Sequence, residues 1–240
     1  MIRLLDIFFA LLGFVCLSWV FLCAIIGLLF TGEHKVFYRQ KRVGIGGREF
    51  YVYKFATMLE NSPNLPGGYL TRDNDPRILP FGNFLRRTKV NELPQLVNIL
   101  KNDMSFVGPR PQAKVHFDLY EDHVKKAISE LFPGVTGVAA LFFRNEDIIM
   151  KNSGHSYEYF HDEVITPYKG ELECWYAENQ SAWLYLKIIY LTAATIINRN
   201  YNVLRFFKDL PIPSNELLRA LPEFYRLYFE SFSGVNNGVR

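Results

Sequence analysis

The sequence predicts an α-rich α+β fold, in which an N-terminal membrane helix precedes one compact domain with little sheet. Residues 7–30 form an apolar run without a charged side chain, and about 20 such residues suffice to cross the hydrocarbon core of a bilayer. After this run, apolar residues recur mainly at helical spacing, and residues 48–55 alternate as a strand does. A length of 240 residues accommodates one domain, a membrane segment and a short appendage.

The chain is expected to divide into three parts: a membrane-associated helix at 1–32, a cytoplasmic domain at 33–208 and an amphipathic helical tail at 209–240. Ser214 is a favoured residue for a helix N-cap. The apolar residues that follow it at helical spacing are Leu217, Leu218, Leu221, Phe224, Leu227 and Tyr228. Packing on the core, contact with the membrane and formation of a homodimer all remain open for this tail.

The charges that flank the apolar run predict its orientation. Only Arg3 precedes the run, whereas it is followed by Lys35, Arg39, Lys41, Arg42 and Arg48. The positive-inside rule therefore places the domain in the cytoplasm. Interleaved aromatic residues suit a membrane surface with anionic lipid headgroups, although a solvated flank would explain the charges equally well. A cleaved signal peptide is disfavoured, because the run is long and lacks a small-residue cleavage site.

Composition excludes several classes of function. A formal net charge of +3 is too small to predict binding to nucleic acid. The three cysteines and five histidines show no metal-ligand spacing, so we expect ordinary reduced thiols. The chain also lacks a P-loop, a dinucleotide-binding glycine motif and a nucleophile elbow.

The remaining elements are predicted from periodicity and from turn residues. Residues 61–82 are rich in Pro, Gly, Asn and Asp and predict a long loop, either functional or a surface excursion. Residues 115–131 predict one helix and residues 168–198 another helical segment. The second segment has an apolar stretch interrupted by Lys187, which favours a buried or interfacial helix over a second membrane crossing.

The stretch "RRTKVNELPQL" at 86–96 carries the residues best suited to phosphate chemistry. Asn91 is a favoured N-cap and Pro94 falls in the first turn, so a helix is predicted to begin here. A helix N-terminus attracts phosphate, and Glu92 in that turn has the ligand type that Mg²⁺ prefers. The structural alternative for Glu92 is complementing the helix dipole.

Three arginines supplement this stretch. Arg86 and Arg87 precede the predicted helix, and Arg110 lies in a "GPRP" turn. Guanidinium groups make bidentate contacts to phosphate oxygens. Surface ion pairs, or bracing of the turn, would explain these arginines without any ligand.

The sequence resembles the bacterial sugar transferases, the monotopic phosphoglycosyl transferases. The matching segments, in the order of the family, are "RLLDIFFALLG", "FYRQKRVG", "YKFATM", "NELPQLVNILKNDMSFVGPRP", "PGVTG", "RNED" and "WYAENQS". The resemblance covers about residues 3–197, and the long segment is highly specific to the family.

The resemblance implies an enzyme of the bacterial inner (cytoplasmic) membrane that starts surface polysaccharide or glycoconjugate synthesis. Such an enzyme moves a sugar 1-phosphate from a nucleotide diphosphate sugar, commonly a UDP-sugar, to polyprenyl phosphate, assisted by Mg²⁺. An aspartate attacks the substrate phosphate, releases a nucleoside monophosphate and forms a phospho-sugar enzyme, and the lipid phosphate then displaces this aspartate.

The resemblance also implies roles for individual residues. The family's catalytic Asp-Glu pair corresponds to Asn91 and Glu92, with Glu92 as the metal ligand. The residues implied to bind phosphate or substrate are Lys54, Arg86, Gln95, Arg110, Arg144 and Asn145.

This sequence departs from the family at three places. Asn91 replaces the nucleophilic aspartate, and a neutral amide cannot replace a carboxylate nucleophile. Ala56 stands where the family usually has arginine. Ser18-Trp19 replaces the Ser-Pro pair that kinks the family's re-entrant membrane helix, although Ser18 can still bend a helix by bonding back to a carbonyl. A re-entrant helix therefore remains the expectation.

These departures leave three hypotheses. The chain is a working transferase that uses Glu92 or direct attack by the lipid phosphate. Alternatively, it is a silent or inactivated relative that binds substrate, or a membrane scaffold for other glycan enzymes.

Overall fold

The computed structural model describes residues 1–65, 75–198 and 201–232, and helices make up most of them. This confirms the α-rich prediction. The α-helices are α1 (Ile2–Phe30), α2 (Pro80–Arg87), α3 (Gln95–Leu100), α4 (Lys114–Phe117), α5 (Asp122–Ser129), α6 (Val138–Phe142), α7 (Glu146–Ser153), α8 (Tyr157–Tyr159), α9 (Thr166–Glu178), α10 (Ala182–Ile197), α11 (Asn215–Ala220) and α12 (Glu223–Phe232).

Two small two-stranded sheets supply the β structure of the described residues. β1 (Phe37–Val43) and β2 (Glu49–Phe55) form an antiparallel hairpin in which Phe37 lies opposite Phe55. β3 (Ser105–Val107) pairs with β4 (Gly134–Thr136). The strand predicted at 48–55 is confirmed. The sequence pattern did not predict β1 and indicated only a flank of the membrane segment. Most side chains of β1 are exposed, so the alternation of a half-buried strand is missing.

Two predicted helices are divided in the structure. Residues 115–131 form α4 and α5, because Glu121 is extended (φ −65°, ψ 157°) and starts a new helix. The tail is divided between α11 and α12 at Leu221, which precedes Pro222 and is extended (φ −69°, ψ 148°). Ser214 does cap α11, since its hydroxyl accepts a hydrogen bond from Leu217 N at 3.2 Å. Residues 233–240 of the predicted tail lie outside the described residues.

The segment predicted at 168–198 contains two helices, α9 and α10. Ser181 separates them by capping α10, its hydroxyl accepting a hydrogen bond from Leu184 N at 3.1 Å. Lys187 is accommodated because its Nζ donates to Phe206 O at 3.1 Å.

Before α9, the one-turn helix α8 leads into a π-helix at Phe160–Ile165 that the sequence did not predict. Among the described residues, only α1 is long and apolar enough to cross a membrane.

Part of the predicted loop at 61–82 is ordered by a buried ion pair. The Arg77 guanidinium donates to both Asp75 oxygens, at 2.9 and 2.6 Å. The predicted loop extends into α2, which begins at Pro80. This helix packs closely against Thr57, because a Cβ on Gly82 would lie 2.2 Å from Thr57 O. Residues 66–74 lie outside the described residues.

The described chain divides into two compact units. The first unit contains Met1–Phe106, Pro111–Val115 and Phe132–Val135, and the second contains Val107–Arg110, His116–Leu131 and the chain from Thr136 onward. The predicted division at residues 32 and 208 remains a prediction.

Helix α1 packs along the first unit on one face and exposes the other. Ala10 packs against Leu96 and its neighbours, while Ala24 and Leu28 pack against Phe55 and Leu85. The exposed apolar residues follow helical spacing: Leu4, Phe8, Leu11, Val15, Trp19, Leu22 and Ile26. Ser18 Oγ donates to Val15 O at 3.0 Å, as expected for a serine that bonds back to its own helix.

Polar contacts anchor the first turns of α1 to the first unit. Asp6 is only 2% exposed and accepts hydrogen bonds from Ser105 Oγ and Phe106 N, both at 2.9 Å. Arg3 Nη2 donates to Ile99 O at 2.6 Å. The start of this apolar helix is therefore attached to the protein, not free.

In the second unit, a buried carboxyl group supports the turn that carries Arg110. The Arg110 backbone N–H donates to the Glu173 carboxyl group, whose Oε2 accepts no hydrogen bond from the described residues. Burial raises the pKa of Glu173 to about 8, although the Arg110 N–H and the charge of Lys169 both act to lower it. Beside it, a Cβ on Gly137 would lie 2.4 Å from Gly108 O, so only glycine fits.

Replacing Asp6 by alanine is expected to lower the free energy of unfolding by about 2–3 kcal/mol, because two buried donors lose their acceptor. Asp6→Asn keeps an acceptor oxygen and should cost less. Denaturant unfolding of the detergent-solubilised protein, followed by tryptophan fluorescence, measures both values. Equal losses for the two variants would contradict a hydrogen-bonding role for Asp6.

Glu173 should make stability fall as pH rises from about 4.5 to about 8. The unfolded chain releases this proton near the ordinary pKa, whereas the folded chain holds it up to the raised pKa, so ionisation favours unfolding throughout this range. Glu173→Gln should remove a few kcal/mol of this pH dependence. Urea unfolding at pH 5, 6, 7 and 8 measures it, with Glu178→Gln on the exposed face of α9 as the matched control. A Glu173→Gln protein that keeps the native pH slope would disprove the assignment.

Candidate active site

The stretch between α2 and α3 is a tight turn and not a capped helix start. Lys89 adopts a left-handed conformation (φ 60°), and residues Val90–Glu92 form a single 3₁₀ turn. Its backbone is held by hydrogen bonds from Lys89 N to Arg86 O and from Glu92 N to Lys89 O, both 3.1 Å. Through these two hydrogen bonds, the backbone of Lys89 links Arg86 to Glu92.

The prediction that Asn91 caps the helix is wrong. α3 begins at Gln95, with Pro94 as its N-cap residue and no side-chain cap. The chain enters helical geometry through the 3₁₀ turn, and the fixed φ of Pro94 (−60°) continues it. Asn91 is instead turned inward and is 7% exposed.

A hydrophobic cluster, formed by Ala24, Leu28, Phe55 and Leu85, positions the predicted site residues of the first unit. Val90 and Leu93 of the turn pack against it. Each of these site residues is a sequence neighbour of a residue that belongs to the cluster or packs against it: Lys54 precedes Phe55, Arg86 follows Leu85, and Asn91 follows Val90. Both β2 and α2 also contact the turn, so Lys54, Arg86, Asn91 and Glu92 are brought to one part of the first unit.

Asn98, which the sequence did not single out, attaches α3 to β2. Its Oδ1 accepts from Tyr53 N at 2.9 Å, and its Nδ2 donates to Tyr51 O at 2.7 Å. The fully buried amide therefore continues the hydrogen bonding of the strand. Because Gln95 lies one turn earlier on α3, Asn98 also fixes this buried residue relative to β2. The available signal was a polar residue among the apolar positions of "QLVNIL".

The polar groups at the turn fit both an anion and a hard cation. Lys54 Nζ donates to Gln40 Oε1 at 3.5 Å, and an ammonium group of this kind suits a phosphate anion. Asn91 Oδ1 is buried and accepts no hydrogen bond from the described residues. An amide oxygen next to the carboxylate of Glu92 supplies oxygen ligands of the kind that Mg²⁺ takes. Compared with an Asp-Glu pair, the set carries one negative charge fewer.

The other predicted site residues belong to the second unit. The backbone N–H of Arg110 bonds to Glu173, as described above. Asn145 is the N-cap residue of α7, and its carbonyl accepts hydrogen bonds from Ile148 N at 3.0 Å and from Ile149 N at 3.3 Å. Arg144 lies close enough to Tyr225 to oppose the rise in the pKa of Tyr225 that burial causes. These residues thus have identifiable partners within their own unit.

Ala56, the second departure from the family pattern, follows β2. Its backbone N–H donates to Val36 O at 2.9 Å, which extends the hairpin by one residue. Alanine makes this backbone contact as well as arginine would, so the substitution removes a cation and leaves the strand intact.

Comparison with known proteins identifies the family. The sequence model described as bacterial sugar transferase matches residues 1–199. A UDP-glucose:undecaprenyl-phosphate glucose-1-phosphate transferase of Xanthomonas campestris pv. campestris is 35% identical over 185 residues, which cover 75% of this chain and 36% of that relative. The uncharacterized sugar transferase EpsL of Bacillus subtilis is 34% identical over 195 residues, covering 81% and 86%.

A third relative is the UDP-N-acetylgalactosamine-undecaprenyl-phosphate N-acetylgalactosaminephosphotransferase of Aeromonas hydrophila, 30% identical over 81% of this chain and 43% of its own length. The chain thus spans less than half the length of two of these relatives. The matched residues include the turn with Asn91 and Glu92, the hairpin with Lys54 and the "GPRP" turn. This chain belongs to the bacterial sugar transferase family.

Proposed function

We propose that this chain is a phosphoglycosyl transferase that moves a sugar 1-phosphate from a UDP-sugar to a polyprenyl phosphate and so begins the synthesis of a surface polysaccharide or glycoconjugate. The observation that carries the proposal is the grouping of Lys54, Arg86 and Glu92 around the 3₁₀ turn, next to a membrane-type helix. Relatives named for transfer to undecaprenyl phosphate support this donor and acceptor.

Electrostatic stabilisation is the main contribution expected of these residues. A diphosphate donor gathers negative charge on its oxygens during phosphoryl transfer, and preorganised cations lower that barrier. Lys54 lies on a paired strand and Arg86 at the end of a helix, so both cations are held on rigid elements. Gln95, Arg110, Arg144 and Asn145 remain predicted substrate-binding residues.

Mg²⁺ is the proposed cofactor. Glu92 and the Asn91 amide oxygen would hold it, and the bound ion would neutralise charge on the donor phosphates. Position 91 offers no second carboxylate beside Glu92, so we expect the chain to bind Mg²⁺ more weakly than an Asp-Glu pair would.

The amide at position 91 points to direct displacement. A lipid phosphate oxygen attacks the donor phosphorus that bears the sugar, the bond from that phosphorus to UMP breaks, and the polyprenyl diphosphate sugar is the product. The attacking oxygen is already anionic, so this step needs no general base. Attack by the Glu92 carboxylate is the other route that the turn allows.

Asn91 also favours a second candidate function. A relative without the nucleophile, and without the cation at position 56, would bind a nucleotide sugar or a lipid phosphate without turnover. The intact packing around Asn91 and Ala56 supports a folded site in either case.

We propose that α1 enters the bacterial inner membrane from the cytoplasmic face and does not span it. Asp6 near its start is buried against Ser105, and Leu28 near its end is buried against Leu85 of the same unit. A spanning helix would hold these two residues on opposite sides of the bilayer. The exposed stripe from Leu4 to Ile26 would then face lipid.

Asn91→Asp is expected to raise turnover at least 100-fold, because it supplies the carboxylate nucleophile in a nearly isosteric side chain. The measurement is release of UMP from a panel of UDP-sugars by the detergent-solubilised protein with undecaprenyl phosphate and Mg²⁺. Asn91→Ala is the matched control for a change at this position without a carboxylate, and Asn91→Asp combined with Glu92→Gln tests the metal ligand.

The outcomes separate the candidates. Turnover by the native chain supports direct displacement or attack by Glu92, which are then distinguished by Glu92→Gln. A silent native chain that is activated by Asn91→Asp supports the substrate-binding relative. If Asn91→Asp, alone and with Ala56→Arg, gives no UMP from any donor, the transferase proposal fails.

The topology proposal predicts where residue 2 can be labelled. In a protein with Cys16, Cys23 and Cys174 changed to serine, Ile2→Cys should react with a membrane-impermeant maleimide in inverted vesicles and not in intact cells. Glu178→Cys on exposed α9 serves as the cytoplasmic control. Labelling of Ile2→Cys in intact cells would contradict the proposal.

A further inference from the structure

Two histidines and an aspartate meet in the second unit, where α4 lies near the π-helix. One ring nitrogen each of His116 and His161 and one carboxylate oxygen of Asp162 all lie within 4.8 Å of one another. No other such group of His, Cys, Asp or Glu ligands occurs in the described part of the chain. The sequence did not predict it, because His116 and His161 are far apart along the chain.

We propose that His116, His161 and Asp162 bind a borderline divalent cation of the Zn²⁺ type. Two imidazoles and one carboxylate form a donor set that suits Zn²⁺ and related transition metals, unlike the all-oxygen sets of Mg²⁺. Three protein ligands leave a position for water, as in open zinc sites. This inference is independent of the proposed transferase activity.

The distances allow the site to form without movement of the backbone. Zinc–nitrogen bonds of about 2.0–2.1 Å put the ligand atoms of a tetrahedral site roughly 3.3 Å apart. Separations of up to 4.8 Å therefore have to shrink by roughly 1–1.5 Å, within the range of side-chain rotation. His161 Nδ1 and Asp162 Oδ1 are hydrogen-bonded at 2.6 Å, and contacts of both groups to the cation would replace this bond.

The surroundings hold His161 in place before any ligand binds. Its ring is nearly parallel to that of Tyr157 (6°, centroids 6.3 Å apart) and meets the His116 ring edge-on at 5.5 Å. In an α-helix, neighbouring side chains do not face each other. The π-helix turns less per residue and brings His161 and Asp162 into contact, and such segments occur often at functional sites.

The local charges also favour a cation. Glu146 Oε1 lies 3.9 Å from His161 Nε2, and Lys169 Nζ contacts Glu146 at 2.8 Å. The carboxylates of Asp162 and Glu146 therefore both lie beside the His161 imidazole, and Lys169 pairs with Glu146. A hydrogen-bonded His161–Asp162 pair alone would not explain the second imidazole.

Metal binding by the full chain, purified in detergent without a histidine tag, tests the site. The cysteines are alkylated, metals are removed with a chelator, and Zn²⁺ is titrated in competition with a chromophoric chelator. The native chain should bind one Zn²⁺, and saturating Zn²⁺ should raise its Tm by roughly 5 °C. His161→Gln and His116→Gln should each weaken binding at least 10-fold. His155→Gln, which removes a histidine paired with Glu216 in the same unit, should change nothing.

The spectrum of bound Co²⁺ provides a readout that needs no variant, since nitrogen and oxygen ligands give tetrahedral d–d bands without a thiolate charge-transfer band. Asp162→Asn is the mildest variant if the histidine variants do not fold, and it should shift these bands. Absence of Zn²⁺ binding by the native chain, or binding unchanged in His161→Gln or in Asp162→Asn, overturns the proposal.

Discussion

The packing of α1 on Phe55 and Leu85 supports the rest of the first unit. Ala24 and Leu28 of the helix pack on Phe55 and Leu85, whose neighbours along the chain are the predicted phosphate-binding residues Lys54 and Arg86. Burying a side chain such as leucine or phenylalanine contributes roughly 1.5–3 kcal/mol, so the same contact that fixes the membrane helix also fixes the cations. The proposed site for a lipid phosphate and a nucleotide sugar therefore rests on the same packing as the apolar helix.

Small residues allow α1 to come so close. A Cβ on Gly27 would lie 2.5 Å from the Phe81 ring, and one on Gly13 would lie 3.2 Å from Leu96. Together with Ala10 and Ala24, these residues form a packing face on a helix that is apolar all round. Small residues on one face are typical of membrane helices that contact another helix closely. Hydropathy alone predicted the apolar helix but not its packing, because its exposed and protein-facing residues are equally apolar.

Other differences between expectation and structure have local physical causes. The strand at 48–55 and the cap by Ser214 follow from short-range patterns and were predicted. The capping role of Asn91 was not realised, because the helix start depends on the left-handed Lys89 and on i→i+3 bonds that no local pattern encodes. Asn98 and Glu173 are polar residues at core-facing positions, and each bonds to backbone groups that lie 45 or more residues away along the chain. Only the fold reveals such pairs.

At position 91, the amide lacks the reactivity of a carboxylate but is less costly to bury. Its amide oxygen is buried and accepts no hydrogen bond from the described residues, so a carboxylate there would carry a buried charge, which is costly unless it is paired. An amide removes the cost of that charge while keeping nearly the same shape. Reactive carboxylates are commonly held at the expense of stability. Asn91 therefore fits a well-packed turn, and the proposed direct attack by the lipid phosphate is the route that needs no carboxylate at this position.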